Sequence, residues 1–341
     1  MSHHYNVCQV AFLNPLFRIL KDSNLNSESL IKKSKLKYFD LKVDDNYVPL
    51  ESVYDFYIRS KQLAKGAFFK GSNLKHYDLV HLGAFGDYLS RLPTLYSILY
   101  QFVLYKSIYQ TNLNCNLDIY GDTAKFSFSC SDKFSAGRKI GESIFMAVLL
   151  QLFRRYTCEN WEPDEIHLPY SALGDIMDLF PNKECTVISN QTSFAIIFPR
   201  DILYRASHVF IRFSNQTFPS FPDRSVSYTI ERVLRSYKSG YIPSLSDLAS
   251  HFSTSESSIK RSLQSEDTSF SKILEKNLFE KSVKLLADTN LSIMLISESL
   301  GYSDSPNFIR SFKKWSGVTP GIFRDSCEMT YDDNAQIAKI A

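Results

Sequence analysis

Two short stretches of this chain carry hydrogen-bond donors at a spacing that builds a readable surface. In the first, Ser257, Ser258, Lys260 and Arg261 surround the apolar pair Ile259 and Leu263. In the second, Ser305, Asn307, Arg310, Lys313 and Lys314 surround Phe308, Phe312 and Trp315. On a helix, residues three and four apart share a face, so each stretch turns its apolar residues inward and its donors outward. After the first turn neither free face carries a carboxylate. A helix entering a DNA major groove needs this set: Arg or Lys for guanine and phosphates, Asn for adenine, Ser for either. One such stretch alone would equally suit a helical bundle with solvated faces. Two copies at matched spacing tell against that.

The flanking residues supply the elements that must position these faces. Ser244 is an N-cap with Asp247 three residues on, and Leu245, Leu248, Ala249 and Phe252 fall on one helical face. Ser253-Thr254 then make a turn and Ser255 caps the donor-bearing helix. The pattern recurs at Ser292, 48 residues beyond Ser244, with Ile293, Ile296, Ser297 and Leu300 at the same spacing. Gly301 is the natural left-handed residue after that helix, and Pro306 suits the first turn of the next. Each unit has a small residue, Ala249 or Ser297, where two helices cross closely. Between the units, Ser269 to Ala287 reads as one long helix of about 30 Å. That length can hold two recognition helices about one DNA turn, roughly 34 Å, apart.

These residues resemble the AraC-type DNA-binding domain. Leu248-Ala249, the run from Ser258 to Leu263 and Thr268-Ser269-Phe270 carry the likeness to its first half. The run from Asp288 to Ile293, Leu300 to Asp304, Phe308, Phe312 to Trp315, Gly317 to Pro320 and Phe323-Arg324 carry the second, more specific half. The resemblance implies a bacterial transcription regulator that puts two helices of one chain into successive major grooves of double-stranded DNA. The first turn departs from the family, which often has Gly where Ser253 stands, so this turn is either strained or altered. Pro306 and Ile309 remove polar groups from the second recognition helix, which would read fewer bases than the first.

The whole chain has 341 residues, enough for two domains, each with its own core. Its 44% hydrophobic and 22% charged content is that of a soluble globular protein. A formal net charge of +3 does not by itself announce nucleic acid; the local basic face from Ser305 to Ser316 does. The six cysteines form no Cys-x-x-Cys pair, and the chain shows no export signal, so reduced, buried cytosolic thiols are the expectation. The most apolar window, Leu92 to Tyr105, is too short for a bilayer and reads as a core helix.

Ahead of the helical region, the start up to about Asn14 reads as loose. Helices follow over Asn14 to Leu20, Asn26 to Lys33 and Val53 to Ala64, then from Leu82-Gly83 and from Pro93 to about Ile108. Alternation then predicts a hairpin about Gly121-Asp122, with Ala124, Phe126, Phe128 and Cys130 on its buried face. A helix over Ser143 to Tyr156 ends in Arg154-Arg155, read as a solvated end. Strands over Glu165 to Pro169, Cys185 to Ser189 and Phe194 to Phe198 complete an antiparallel sheet, with Pro199 to Leu203 closing a second hairpin. The fold class is therefore an α+β N-terminal domain followed by an all-α C-terminal domain of two helix-turn-helix units joined by a long helix. The boundaries are 1–214 for sensing and dimerisation, 215–227 for a proline-bearing linker, 228–326 for DNA binding and 327–341 for a tail. The N-terminal part is also similar, more weakly, to the arabinose-binding-like sensing domain of one branch of AraC-type regulators. Leu82-Gly83, Phe85-Gly86, Pro93-Thr94-Leu95, the run from Arg154-Arg155 to Pro163, and Phe198-Pro199 with Leu203 carry that likeness. It implies an unknown small-molecule effector, not necessarily arabinose, and a homodimer.

Nothing recommends an enzyme, a cofactor or a metal. The phosphate-loop spacing at Gly66 to Ser72 lacks its Lys, no His-Glu-x-x-His occurs, and Ser257 to Lys260 lies on the recognition helix. The alternative to a cytoplasmic regulator is a helical adaptor that has lost DNA affinity, for which Ser253, Pro306 and Ile309 leave room. Leu295 and Lys276 are candidate contacts for RNA polymerase.

Overall fold

The computed structural model describes residues 5–64, 68–132, 135–171, 174–180, 185–206 and 225–326. They form two compact units, one made of the residues from 225 onward together with Tyr38–Asp40, the other of the remaining N-terminal residues. The expected linker lies outside the described residues except for its last three, and the expected tail lies wholly outside them. Those last linker residues already belong to a helix, since Ser225 caps one that begins at Val226.

The N-terminal unit is α+β. Its opening residues are not loose: β1 (Val7–Gln9) pairs antiparallel with β2 (Tyr47–Pro49). The 3-10 turn Val10–Leu13 that follows is buried throughout. Elements of three or four residues covered on all sides show no periodicity, which is why the sequence hid them. Helices α1 (Asn14–Asp22), α2 (Ser27–Lys32), α3 (Leu50–Ala64), α4 (Gly83–Ser90) and α5 (Leu95–Tyr109) come next. Thr94 and Ser97 close a reciprocal capping box at the start of α5.

Strands β3 (Leu113–Tyr120) and β4 (Thr123–Cys130) meet at Gly121-Asp122 as the alternation requires. Ala124, Phe126, Phe128 and Cys130 are all buried. Helix α6 (Ala136–Tyr156) starts seven residues earlier than its apolar run suggests. Gly137 lets it cross α3, because a Cβ there would sit 2.4 Å from the Tyr54 Cβ. Strands β5 (Glu165–His167), β6 (Thr186–Ile188) and β7 (Phe194–Pro199) complete a sheet of order β3-β4-β7-β5-β6. The sheet is mixed rather than antiparallel, because β5 and β6 run parallel. No second hairpin forms, because β7 pairs with β4 and β5, and Arg200–Tyr204 is a 3-10 turn. Phe128 and Phe194 stack at 4.8 Å on neighbouring strands, and Phe145 of α6 meets Phe128 edge-on at 4.6 Å.

Arg154 is not a solvated helix end. Its Nε donates to Trp161 O at 3.2 Å and its Nη2 to Leu179 O at 3.0 Å. Burial holds its pKa below the usual guanidinium value. Here it ties α6 to two loops.

The C-terminal unit contains α7 (Val226–Arg235), α8 (Leu245–His251), α9 (Glu256–Gln264), α10 (Phe270–Asp288), α11 (Ile293–Leu300) and α12 (Ser305–Ser316). Tyr38–Asp40, the end of a 3-10 turn and the bridge that follows it, joins this unit. Phe39 bridges to Tyr237 and is 0% exposed, with Asp40 N donating to Ser236 O at 2.8 Å and Lys238 N to Tyr38 O at 3.0 Å. Burying one Phe contributes about 1.5–3 kcal/mol. Below it, Tyr237 Oη lies 2.8 Å from His251 Nδ1. Among the described residues no helix is long and apolar enough to cross a membrane.

Candidate nucleic-acid interface

The two donor-bearing helices, α9 and α12, each follow a shorter helix across a tight turn. The local causes are plain in the caps. Ser244 and Asp247 form a reciprocal box at α8, Ser255 accepts from Ser258 N at α9, and Ser292 accepts from Leu295 N at α11. Asp304, expected only as the end of the Leu300-to-Asp304 run, caps α12 by accepting from Asn307 N at 2.7 Å.

The turns close alike. Thr254 N donates to Ala249 O at 2.9 Å, and Tyr302 N donates to Ser297 O at 3.0 Å, the same five-residue reach. The small residues expected at close helix crossings thus also supply the closing carbonyls. At the left-handed position of each turn stand Ser253, with φ 51°, and Gly301, with φ 92°. A Cβ on Gly301 would lie 2.9 Å from Ile242 Cγ1 and 3.0 Å from Ile242 N, so that position needs glycine twice over. Ser297 Oγ also reaches Asp304 O at 3.2 Å, fixing the entry to α12.

Most of the expected donors sit on the outer faces. Ser257, Lys260 and Arg261 are exposed on α9, and Arg310, Lys313 and Lys314 on α12, while Ser305 and Asn307 are half-buried. Ser258 departs from expectation. It is 8% exposed, its Oγ 2.9 Å from Ser255 Oγ, because the capping turn folds it under the helix start.

The face of α12 is organised before any partner arrives. Asn307 Nδ2 donates to Asp304 Oδ2 at 2.6 Å, and Arg310 Nη2 donates to Asn307 Oδ1. Lys314 Nζ reaches Glu275 of α10 at 2.9 Å, across 39 residues of chain. Both partners of that pair are well exposed, so it contributes about 1 kcal/mol at most. On α9, Lys260 lies 3.8 Å from Glu256 and Arg261 Nε donates to Ser257 O at 3.4 Å. Glu275 and the capping role of Asp304 went unnoticed in the sequence because each acts on a residue of the facing set only after folding or capping. An Asp immediately before a Ser-Pro helix start was the available signal for Asp304.

The spacing helix α10 has 19 residues and so runs about 28 Å. An aromatic cluster locks α12 onto it: Phe279 lies 5.6 Å from Phe312, and Phe308 and Phe312 are fully buried. The second exposed face is thereby fixed to α10, the helix that separates the two units along the chain. Cationic and amide groups held on two helices are suited to phosphates and base edges.

The family described as a helix-turn-helix domain matches residues 248–326, the span from α8 to the last described residue. The transcriptional activator AggR of Escherichia coli is 26% identical over 188 residues, 54% of this chain and 67% of AggR. The HTH-type transcriptional activator CsvR of Escherichia coli is 40% identical over 79 residues, 23% of this chain and 30% of CsvR. The chain thus spans less than a third of CsvR. The crystal structure of the transcriptional regulator CdpR from Pseudomonas aeruginosa aligns with 91% of this chain and 96% of its own, at 18% identity and a TM-score of 0.41.

Proposed function

We propose, from the premise that residues 248–326 form a helix-turn-helix domain of the AraC/XylS type, that this chain is a sequence-specific transcription regulator. Helix pairs α8–α9 and α11–α12 are its two helix-turn-helix units, and α9 and α12 enter successive major grooves. The observation that carries this reading is the duplication: two turns closed by the same hydrogen bond, one before and one after a 19-residue helix in the chain, each followed by a helix with exposed cations.

Ser257, Lys260 and Arg261 of the first unit, and Ser305, Asn307, Arg310 and Lys313 of the second, are the proposed DNA contacts. Lys314 joins them once it leaves Glu275, and Ser258 supports the turn instead. Arg261 and Arg310 read base edges, while Lys313 and Lys314 meet phosphate. The N-terminal unit senses a small-molecule effector and carries a homodimer contact, in the cytoplasm. Its ligand shifts the population between arrangements of differing DNA affinity. RNA polymerase is a further partner.

One observation favours a second reading, a helical adaptor without specific DNA binding: Asn307 and Arg310 are already engaged with each other and with Asp304. Selection of bound sequences from random DNA by the intact chain separates the two. Enrichment of two short blocks about one helical turn apart is the expected result. No enrichment from protein that is folded by circular dichroism would sink the regulator reading and leave the adaptor.

A further inference from the structure

The sheet of the N-terminal unit ends in a long open edge. β3 is the outermost strand on one side, and its eight residues pair with β4 alone. The register runs unbroken from Leu113 with Cys130 to Tyr120 with Thr123, across the two-residue turn Gly121-Asp122. In a two-residue hairpin the closing pair exchanges hydrogen bonds, and bonded and unbonded pairs alternate from there. Asn114, Asn116, Asp118 and Tyr120 therefore bond to β4, while the backbone groups of Leu113, Cys115, Leu117 and Ile119 point away from it. Among the described residues, no backbone hydrogen bond from outside the hairpin reaches Cys115, Leu117 or Ile119.

Natural edge strands are blunted by Lys, Pro, a bulge or short length. β3 contains no Lys or Pro, carries no bulge and exceeds the usual five or six residues. Its outer face is open too. Asn114 and Asn116 are exposed and Asp118 is half-buried, and among the described residues their side chains make no hydrogen bond or ion pair. Exposed aromatics gather at the hairpin tip, where Tyr120 is 67% exposed. Arg200 Nη1 donates to Gly121 O at 3.4 Å, and its guanidinium lies 5.9 Å from the Tyr204 ring. Tyr204 stacks on Tyr96 at 6.0 Å, and Tyr96 on Tyr100 at 5.9 Å, all three exposed. Tyrosines are enriched in protein interfaces.

We propose that β3 is the contact between two copies of this chain, the two strands pairing antiparallel about a two-fold axis at Asn116 so that the five-stranded sheets become continuous. The surface rests on the proposed homodimer of the N-terminal unit. The strand is complementary to itself. An axis at Asn116 pairs all four residues whose backbone groups face the edge, Leu113 with Ile119 and Cys115 with Leu117. An axis at Cys115 would strand Ile119, and one at Leu117 would strand Leu113. The axis at Asn116 also sets each Asn114 amide across from an Asp118 carboxylate, twice, and Asn116 across from its own copy. A strand from an unrelated protein would need no such match.

Sedimentation of the intact chain without DNA, over about a hundredfold range of concentration, tests this. The expected result is a monomer–dimer equilibrium. Asn116→Lys puts like charges together on the axis and should weaken the dimer at least about tenfold. Asn114→Asp, facing Asp118, should weaken it about threefold, whereas Asn114→Lys should tighten it by about the same factor. A merely structural strand would not respond with opposite signs. A thermal melt checks the fold of each variant. Asn116→Cys should form an intermolecular disulfide under mild oxidation, because unbonded antiparallel partners lie close, and Asn114→Cys far less. A dimer unchanged by Asn116→Lys and by both Asn114 substitutions would overturn this surface and leave the homodimer to another one. A chain monomeric at every concentration would overturn both.

Discussion

The two helix pairs are the same turn built once with glycine and once without. Both close through a five-residue backbone bond, and both hold a left-handed residue at the corner. At Gly301 the backbone of Ile242 leaves no room for a Cβ, so neither sterics nor φ allows another residue cheaply. At Ser253 only φ is unfavourable, and the turn tolerates the cost. Their cores differ as well. The second pair gathers Phe308, Phe312, Phe279, Trp315 and Phe323, whereas the first closes on Leu248, Ile259 and Leu263. The chain thus invests in a rigid second unit and accepts strain in the first. The more specific half of the family resemblance falls on the half with the less replaceable residues.

Substitutions can break or sharpen that contrast. The largest effect is expected at the aromatic hub, where Phe308→Ala should cost about 3–5 kcal/mol in denaturant unfolding. The matching truncation in the first pair, Ile259→Ala, should cost less, about 2–3 kcal/mol, the low end of the usual range. Equal losses would dissolve the contrast between the cores. Gly301→Ser should cost about 2–3 kcal/mol, combining the left-handed penalty with overlap at Ile242. In binding, Arg261→Ala and Arg310→Ala should each weaken specific DNA by about 1–3 kcal/mol in a gel-shift titration. Lys313→Ala should instead weaken all sequences similarly and reduce the salt slope by about one. The reciprocal turn exchange, Ser253→Gly, should raise stability by about 0.5–1 kcal/mol, opposite in sign to Gly301→Ser.

A pH effect concerns the shared spacing helix. Lys281 has its pKa lowered from 10.5 to about 8 in the folded chain. Between those values the unfolded state binds more protons, so stability should rise with pH from about 8 toward 10.5. Lys281→Met should flatten that rise in melts followed across this range. A slope unchanged by the substitution would assign it to another group.

What was legible in the sequence was what is local. Ser244, Ser255 and Ser292 cap the helices they precede because a hydroxyl needs only a backbone N–H three residues on. The β3–β4 hairpin was legible because two residues join strands long enough to alternate. What joins distant residues was hidden. The parallel pairing of β5 and β6, the grip of Arg154 on Leu179 and the Lys314–Glu275 pair leave no periodic trace. The site was legible as a set of exposed cations but not in its internal bonding. Ser258 looked outward by spacing alone, yet the cap that starts α9 turned it in.

The segment Tyr38–Asp40 has a practical side. A fragment begun at residue 225 would keep α7 to α12 but lose Phe39, uncovering the surfaces of Tyr237 and His251 that its ring closes. Such a fragment would offer a sticky hollow to its own copies. The helical unit therefore cannot be transplanted by a single cut: its boundary in space is not its boundary along the chain.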